Sequence, residues 1–106
     1  MTVTLGLGKS VSVSGADASL SFDELVEDSR CPTGVTCIWA GDAVVRIGIT
    51  AGGASSKHTL HTNSQFAREA EQSGVRVVLV SVTPYPTADA APRRDDYRVT
   101  LSIERK

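Results

Sequence analysis

The chain has 106 residues, enough for one domain with a modest core, and its 11 basic and 12 acidic side chains nearly cancel. That balance excludes the clustered positive charge of a nucleic-acid footprint or a polybasic membrane anchor. No apolar run approaches the roughly 20 residues a spanning helix needs, and the five aromatic residues, Phe22, Trp39, Phe66, Tyr85 and Tyr97, leave the core to Val, Ile and Leu.

Val3, Leu5 and Leu7 alternate with Thr2, Thr4 and Gly6, the period-two pattern of a half-buried strand. Gly8-Lys9 turns the chain, and Val11 and Val13 begin a second short alternation. Gly15-Ala16-Asp17 is a turn signal. Leu20 and Phe22 then share a face with Val26, while Leu25 breaks the parity, which predicts a bulge near Asp23-Glu24. A dense segment follows, Asp28-Ser29-Arg30-Cys31-Pro32-Thr33-Gly34-Val35-Thr36-Cys37-Ile38-Trp39-Ala40-Gly41, holding the two cysteines and the single tryptophan.

Beyond it, Ala43, Val45, Ile47 and Ile49 lie on one face of a strand, with Val44, Arg46, Gly48 and Thr50 on the other. Ala51 to Ser56 fits a flexible hairpin tip, and Lys57 to Thr62 a weak return strand. Asn63 to Gly74 is the one helix-like stretch: Asn63 or Ser64 could cap it, Ala67 to Gln72 favour it and Gly74 could end it. With Phe66 its only large apolar residue, it predicts a helical turn or two, or a loop. Val75 to Val82 is apolar on both faces except at Arg76 and Ser81, as in a central strand. Pro84-Tyr85-Pro86 ends it. Thr87 to Asp96, rich in Ala, Pro and charge, reads as a mobile loop, and Tyr97, Val99, Leu101 and Ile103 alternate in a final strand. The expectation is a single all-β domain over residues 1–106, an antiparallel β-sandwich of about seven or eight strands with at most one short helical segment and a β-barrel as the alternative.

Three chemistries compete for Cys31 and Cys37. A structural disulfide would close a short ring around Pro32 and Gly34, stabilising by on the order of 2–3 kcal/mol in the chain-entropy view. A zinc site would need His58 and His61, but an offset of three on a strand puts them on opposite faces. A redox pair usually has two intervening residues rather than five. Trp39 is expected to pack against the disulfide, or else to serve as an aromatic anchor for a partner. Asp28 and Arg30 are expected to pair locally or to bond loop backbone. Glu24, Glu27 and Asp28 read as a solvated acidic edge, and Arg93-Arg94-Asp95-Asp96 as a solvated loop with local charge pairing. No nucleophile elbow or phosphate-binding glycine loop is present. His58 shares parity with Leu60 and reads as a half-buried strand residue. No catalytic residue, metal ligand or cofactor is assigned.

The segment Asp28, Ser29, Arg30, Cys31, Pro32, Cys37, Trp39, Ala40 and Gly41, followed by the valine-rich strand Ala43 to Ile49, resembles one found in small bacterial exported proteins and lipoproteins. Phe22 to Glu27, Pro84-Tyr85-Pro86 and the closing Tyr97-x-Val-x-Leu are also similar. The likeness spans most of the chain, although only the cysteine segment is specific. It implies an exported domain with a disulfide, located in the cell envelope or outside the cell, and carries no mechanism. The start of the chain lacks the basic and unbroken apolar stretches of a signal peptide, a departure that trimming of the mature domain explains.

The resulting expectation is a monomeric, non-catalytic module contacting an unidentified protein or small ligand, with no nucleic-acid partner and no transmembrane segment. Arg30, Thr33, Gly34, Val35 and Trp39 form the candidate contact loop, with the Thr87 to Asp96 loop as a second surface. The runner-up is a small inhibitor of a secreted peptidase presenting the Cys31–Cys37 loop. A third reading is a hydrolase or metal carrier using His58 or His61.

Overall fold

Strands form where apolar and polar residues alternate, because one face can then be buried while the other stays in water. The computed structural model describes residues 1–13, 17–38, 40–87 and 92–105. Among them, eight strands form in chain order: β1 (Thr2–Gly6), β2 (Ser10–Val13), β3 (Ala18–Asp28), β4 (Ala43–Ala51), β5 (Ala54–His61), β6 (Glu69–Gln72), β7 (Val75–Thr83) and β8 (Arg98–Arg105). They make two antiparallel sheets of four, ordered β1-β8-β7-β6 and β2-β3-β4-β5. The expected sandwich is the architecture observed.

The chain crosses between sheets twice. The first crossing is the tight turn at Gly8, where φ is +82° and the Lys9 amide donates to the Gly6 carbonyl. The second is the segment between His61 and Glu69. Phe22, Ile47 and Leu60 from one sheet and Leu79, Val99 and Leu101 from the other are almost wholly removed from water. Side chains of this size each stabilise by roughly 1.5–3 kcal/mol on full burial.

The bulge near Asp23 is present as a register shift between Phe22 and Glu24, and a second lies between Leu25 and Glu27. Together they turn Leu25 inward and leave Val26 exposed, so Val26 does not share the core face of Leu20 and Phe22 as the simple alternation predicts. A bulge between Leu79 and Ser81 does the same in β7, exposing Val80 and burying Val82. The 51–56 tip is narrower than expected: pairing runs to Ala51 and Ala54, and Gly52-Gly53 alone make the turn with φ of 61° and 78°. Both residues adopt the left-handed backbone that a two-residue hairpin needs.

The helix-like stretch is a loop over its first half, as one alternative has it, and a correction over its second. Residues 63–68 form a turn and a connection, and Glu69–Gln72 is an edge strand paired with Val75–Val78. Ser73 and Gly74 supply the turn at positive φ. Helix propensity in Ala67 to Gln72 amounts to a few tenths of a kcal/mol per residue, too little to compete with a ladder against a strand already held on its other side by β8. In the Thr87 to Asp96 loop, Arg94–Asp96 form a single 3-10 turn, while positions 88–91 lie outside the described residues.

Candidate functional site

The cysteine segment links β3 to β4 and is built from its base upward. Ladder bonds continue past the strand ends: the Ser29 amide donates to the Asp42 carbonyl at 2.7 Å and the Cys31 amide to the Ala40 carbonyl at 3.0 Å. Gly41 sits in this extension at φ +77°. A Cβ there would fall onto the Ser29 carbonyl, so the close approach requires glycine as much as the backbone angle does. Cys31 and Cys37 form the expected disulfide, with Cα atoms 5.9 Å apart. Inside the ring the Val35 amide donates to the Pro32 carbonyl, and Thr33 is pinned from outside by its amide bond to the Pro86 carbonyl and a bridge to Thr87.

Beneath the loop lies a buried polar clamp. Arg30 and Asp28 have side chains only 5 % and 8 % exposed and meet side-on, Nε to Oδ1 at 2.7 Å and Nη2 to Oδ2 at 2.8 Å. The expected local pair therefore exists, and it reaches further than expected. Arg30 Nη1 donates to the Val82 carbonyl at 2.6 Å and Nη2 to the Pro84 carbonyl at 2.9 Å, both at the end of β7 in the opposite sheet. The Tyr97 hydroxyl, at the start of β8, donates to Asp28 Oδ2 at 2.6 Å. Tyr85 covers the guanidinium, 4.8 Å from ring centre to Cζ, in cation–π geometry.

Burial opposes ionisation of Asp28, but the hydrogen bonds from Arg30 and Tyr97 and the Arg30 charge outweigh it and hold the carboxyl below its ordinary value. Arg30 is held above its own by the same pair, against the effect of burial. The Tyr97 phenol is pushed up to about 12, first by burial and then by its bond to the Asp28 carboxylate.

The clamp corrects the role expected of Arg30. Its guanidinium is turned into the protein and supports the loop rather than presenting itself on the loop's outer face. Thr33, Gly34 and Val35 are exposed, as the contact-loop expectation requires, and Ile38 is fully so. Trp39 lies outside the described residues.

A second polar centre sits on the far side of the same segment. Asp42 is 4 % exposed. Its Oδ1 accepts from the Thr62 and Asn63 amides, each at 3.0 Å, and its Oδ2 meets His61 Nδ1 at 2.5 Å. A carboxylate only accepts, so the Nδ1 position carries the hydrogen. Asn63 donates to the Gly41 carbonyl and accepts from the Gln65 amide; its capping role is real, but the chain it caps turns instead of continuing as helix. His58 is half-buried, as expected, on the Leu60 side of β5. It contacts Ser56 Oγ at 2.7 Å, and Ser56 bonds Gln72 of the facing sheet. The two histidines thus belong to separate pairs, Ser56–His58 and Asp42–His61, on opposite faces of one strand. No group of three metal-ligating side chains occurs among the described residues.

The sequence offered no sign that Tyr97, Val82 and Pro84 complete the clamp, since their partners are 52 to 69 positions away. Tyr97's place as the first inward residue of the last strand was the only available hint. Between the Ala40-Gly41 segment, the Thr62 to Ser64 turn, Arg68 and the end of β7 lies an open cleft of about 420 Å³. A scan against protein-family models and searches of curated proteins and of solved structures return no match. The disulfide, and the absence among the described residues of any helix long and apolar enough to cross a membrane, are compatible with an extracellular location.

Proposed function

We propose that the protein is a non-catalytic, exported binding domain that presents residues 33–38 to a partner protein in the cell envelope or outside the cell. The observation that carries this reading is the contrast between the loop's two sides. Its base is fixed by a disulfide, ladder bonds and a buried ion pair, while Val35 and Ile38 stand in water, Ile38 entirely so. A loop ordered in advance loses little conformational entropy on binding, so its apolar contacts contribute more of their free energy to affinity. The resemblance of the Asp28 to Gly41 segment to exported bacterial proteins supports the location, and an oxidising compartment suits the disulfide.

The test is a photo-crosslinking amino acid placed at Val35 or Ile38 in the native host, with Thr59 on the exposed face of β5 as control. The expected result is a discrete adduct from the loop positions only. Adducts equally strong from Thr59, or none from the loop, overturn the reading. The peptidase-inhibitor alternative is favoured by one feature, the exposed ring segment Thr33 to Thr36 pinned at Thr33. It requires stoichiometric inhibition of at least one secreted peptidase, altered by substitution at Thr33 or Val35. A panel of serine, cysteine and metallopeptidases without inhibition removes it.

A further inference from the structure

The open cleft beside the clamp is lined by two arginines, Arg30 and Arg68, and by no acidic residue. Arg30 is already neutralised by Asp28. Arg68 is not neutralised: its Nη2 donates to the Leu79 and Val80 carbonyls at 3.0 and 3.2 Å, and it has no carboxylate partner among the described residues. A guanidinium has five N–H groups, so those on Nε and Nη1 remain without a protein acceptor there. The Ser64 and Ser81 hydroxyls, which also line the cleft, have no hydrogen-bond partner among the described residues either. The nearby Asp42 carboxylate is occupied by Thr62, Asn63 and His61 and does not line the space. The remaining walls include Val80, Val82 and Tyr85.

From these features we infer that the cleft is a binding site for a monocarboxylate carrying a short apolar body. One uncompensated positive charge matches one negative charge. A doubly charged phosphate would leave an unpaired charge in a site with a single available cation. Nη2 of Arg68 is taken by the two carbonyls, so a carboxylate accepts a single charge-assisted N–H bond, from Nη1 or Nε. Ser64 and Ser81 supply further donors, and the valine and tyrosine surface takes the apolar part. The volume lies within the range of small-ligand clefts. The inference is independent of the loop reading, because none of the exposed residues 33–38 lines the cleft.

Two sources present this chemistry, a free branched-chain acid and the C-terminus of a peptide. The test is an NMR titration of the 15N-labelled full chain with 3-methylbutanoate, with its neutral amide, with an acetylated Gly-Val dipeptide bearing a free or an amidated C-terminus, and with inorganic phosphate. Saturable shifts at Ser64, Arg68 and Ser81 are expected with the free carboxylates and not with the amides. Tighter binding of the free dipeptide than of 3-methylbutanoate assigns the source as a peptide terminus, and the reverse assigns it as a free acid. R68Q is expected to weaken binding by at least about tenfold, from loss of a charge-assisted hydrogen-bonded pair, and R68K to retain part of it. S64E, at an exposed position that leaves Arg68 in place, is expected to abolish binding by supplying a competing carboxylate. Equal binding of acid and amide, tighter binding of phosphate, unchanged binding in S64E, or no saturation by about 50 mM, far weaker than the ~1 mM scale of a specific small-ligand site, overturns the inference.

Discussion

Replacing Arg30 by methionine keeps an unbranched apolar side chain in place of the arginine stem and removes the charge and donors. The ion pair to Asp28 is lost together with the bonds to the Val82 and Pro84 carbonyls. Asp28 would keep only the Tyr97 hydroxyl and a long bond from the position-30 amide. Exposed ion pairs are worth about 0–1 kcal/mol. This pair is more than nine-tenths buried on both sides, and removing one partner of such a pair costs about 3–5 kcal/mol, because the other charge stays buried without compensation. A domain of this size has a total stability on the order of 5–15 kcal/mol, so the variant forfeits about 30–50 % of a mid-range value of about 10 kcal/mol. At about 4–8 °C per kcal/mol, the melting temperature should fall by roughly 12 °C or more. Urea unfolding followed by far-UV circular dichroism measures this, with an unchanged m-value confirming that the same transition is observed. Adding D28N to R30M removes the stranded charge, and the double variant should be less destabilised than the sum of the single ones by about 1 kcal/mol or more. An R30M protein within about 1 kcal/mol of the parent, or strict additivity in the cycle, would refute the claim that this pair joins the sheets.

The depressed pKa of Asp28 makes acid sensitivity a second expectation. A carboxyl whose folded pKa lies below its unfolded value contributes stability that is fully present above about pH 4 and is lost as pH falls through the folded pKa. D28N should flatten the stability–pH curve below about pH 4, and an unchanged acid limb contradicts the assignment. The Tyr97 phenol should titrate near pH 12 by its absorbance change. Its folded pKa is raised, so its contribution is present below about pH 10 and fades as pH rises through 12; Y97F should remove that titration step and the associated alkaline loss of stability. Replacing Cys31 and Cys37 together by serine should cost on the order of 2–3 kcal/mol, read as a lower urea midpoint. A parent protein melting identically in reducing and oxidising buffer would contradict this.

The clamp and the cleft also show how far a one-dimensional reading reaches. The pairing of Asp28 with Arg30 was legible because the two residues are neighbours on one edge. Gly41 stood in the sequence only as the end of the cysteine segment, and the reason for a glycine there, the Ser29 carbonyl it must pass, appears only in the fold. Tyr97, Val82 and Pro84 gave no local sign of their shared partner, because hydrogen bonds between sheets depend on how two distant strand ends are brought together. Asp42 drew no reading from the sequence, and only the fold of the 62–63 turn around its carboxylate explains its burial. Arg68 was hidden inside a stretch that favours helix; it lies instead in the connection just before the edge strand, where its Nη2 reaches the Leu79 and Val80 carbonyls.

Period-two alternation determined most of this protein by itself. Together with the apolar run of β7, it set the all-β class, seven of the eight described strands in outline, the first bulge and the inward residues of β4 and β8, because a strand's two faces are written directly in its residue parity. The spacing of Cys31 and Cys37 around Pro32 and Gly34 favoured the short disulfide ring. Tertiary structure decided what depends on competition between distant segments. It drew Glu69–Gln72 into a sheet against its helical preference, turned Leu25 and Val82 inward through bulges, and buried Arg30 between two sheets. Each is settled by burial and long-range hydrogen bonding, which local propensities of a few tenths of a kcal/mol cannot override.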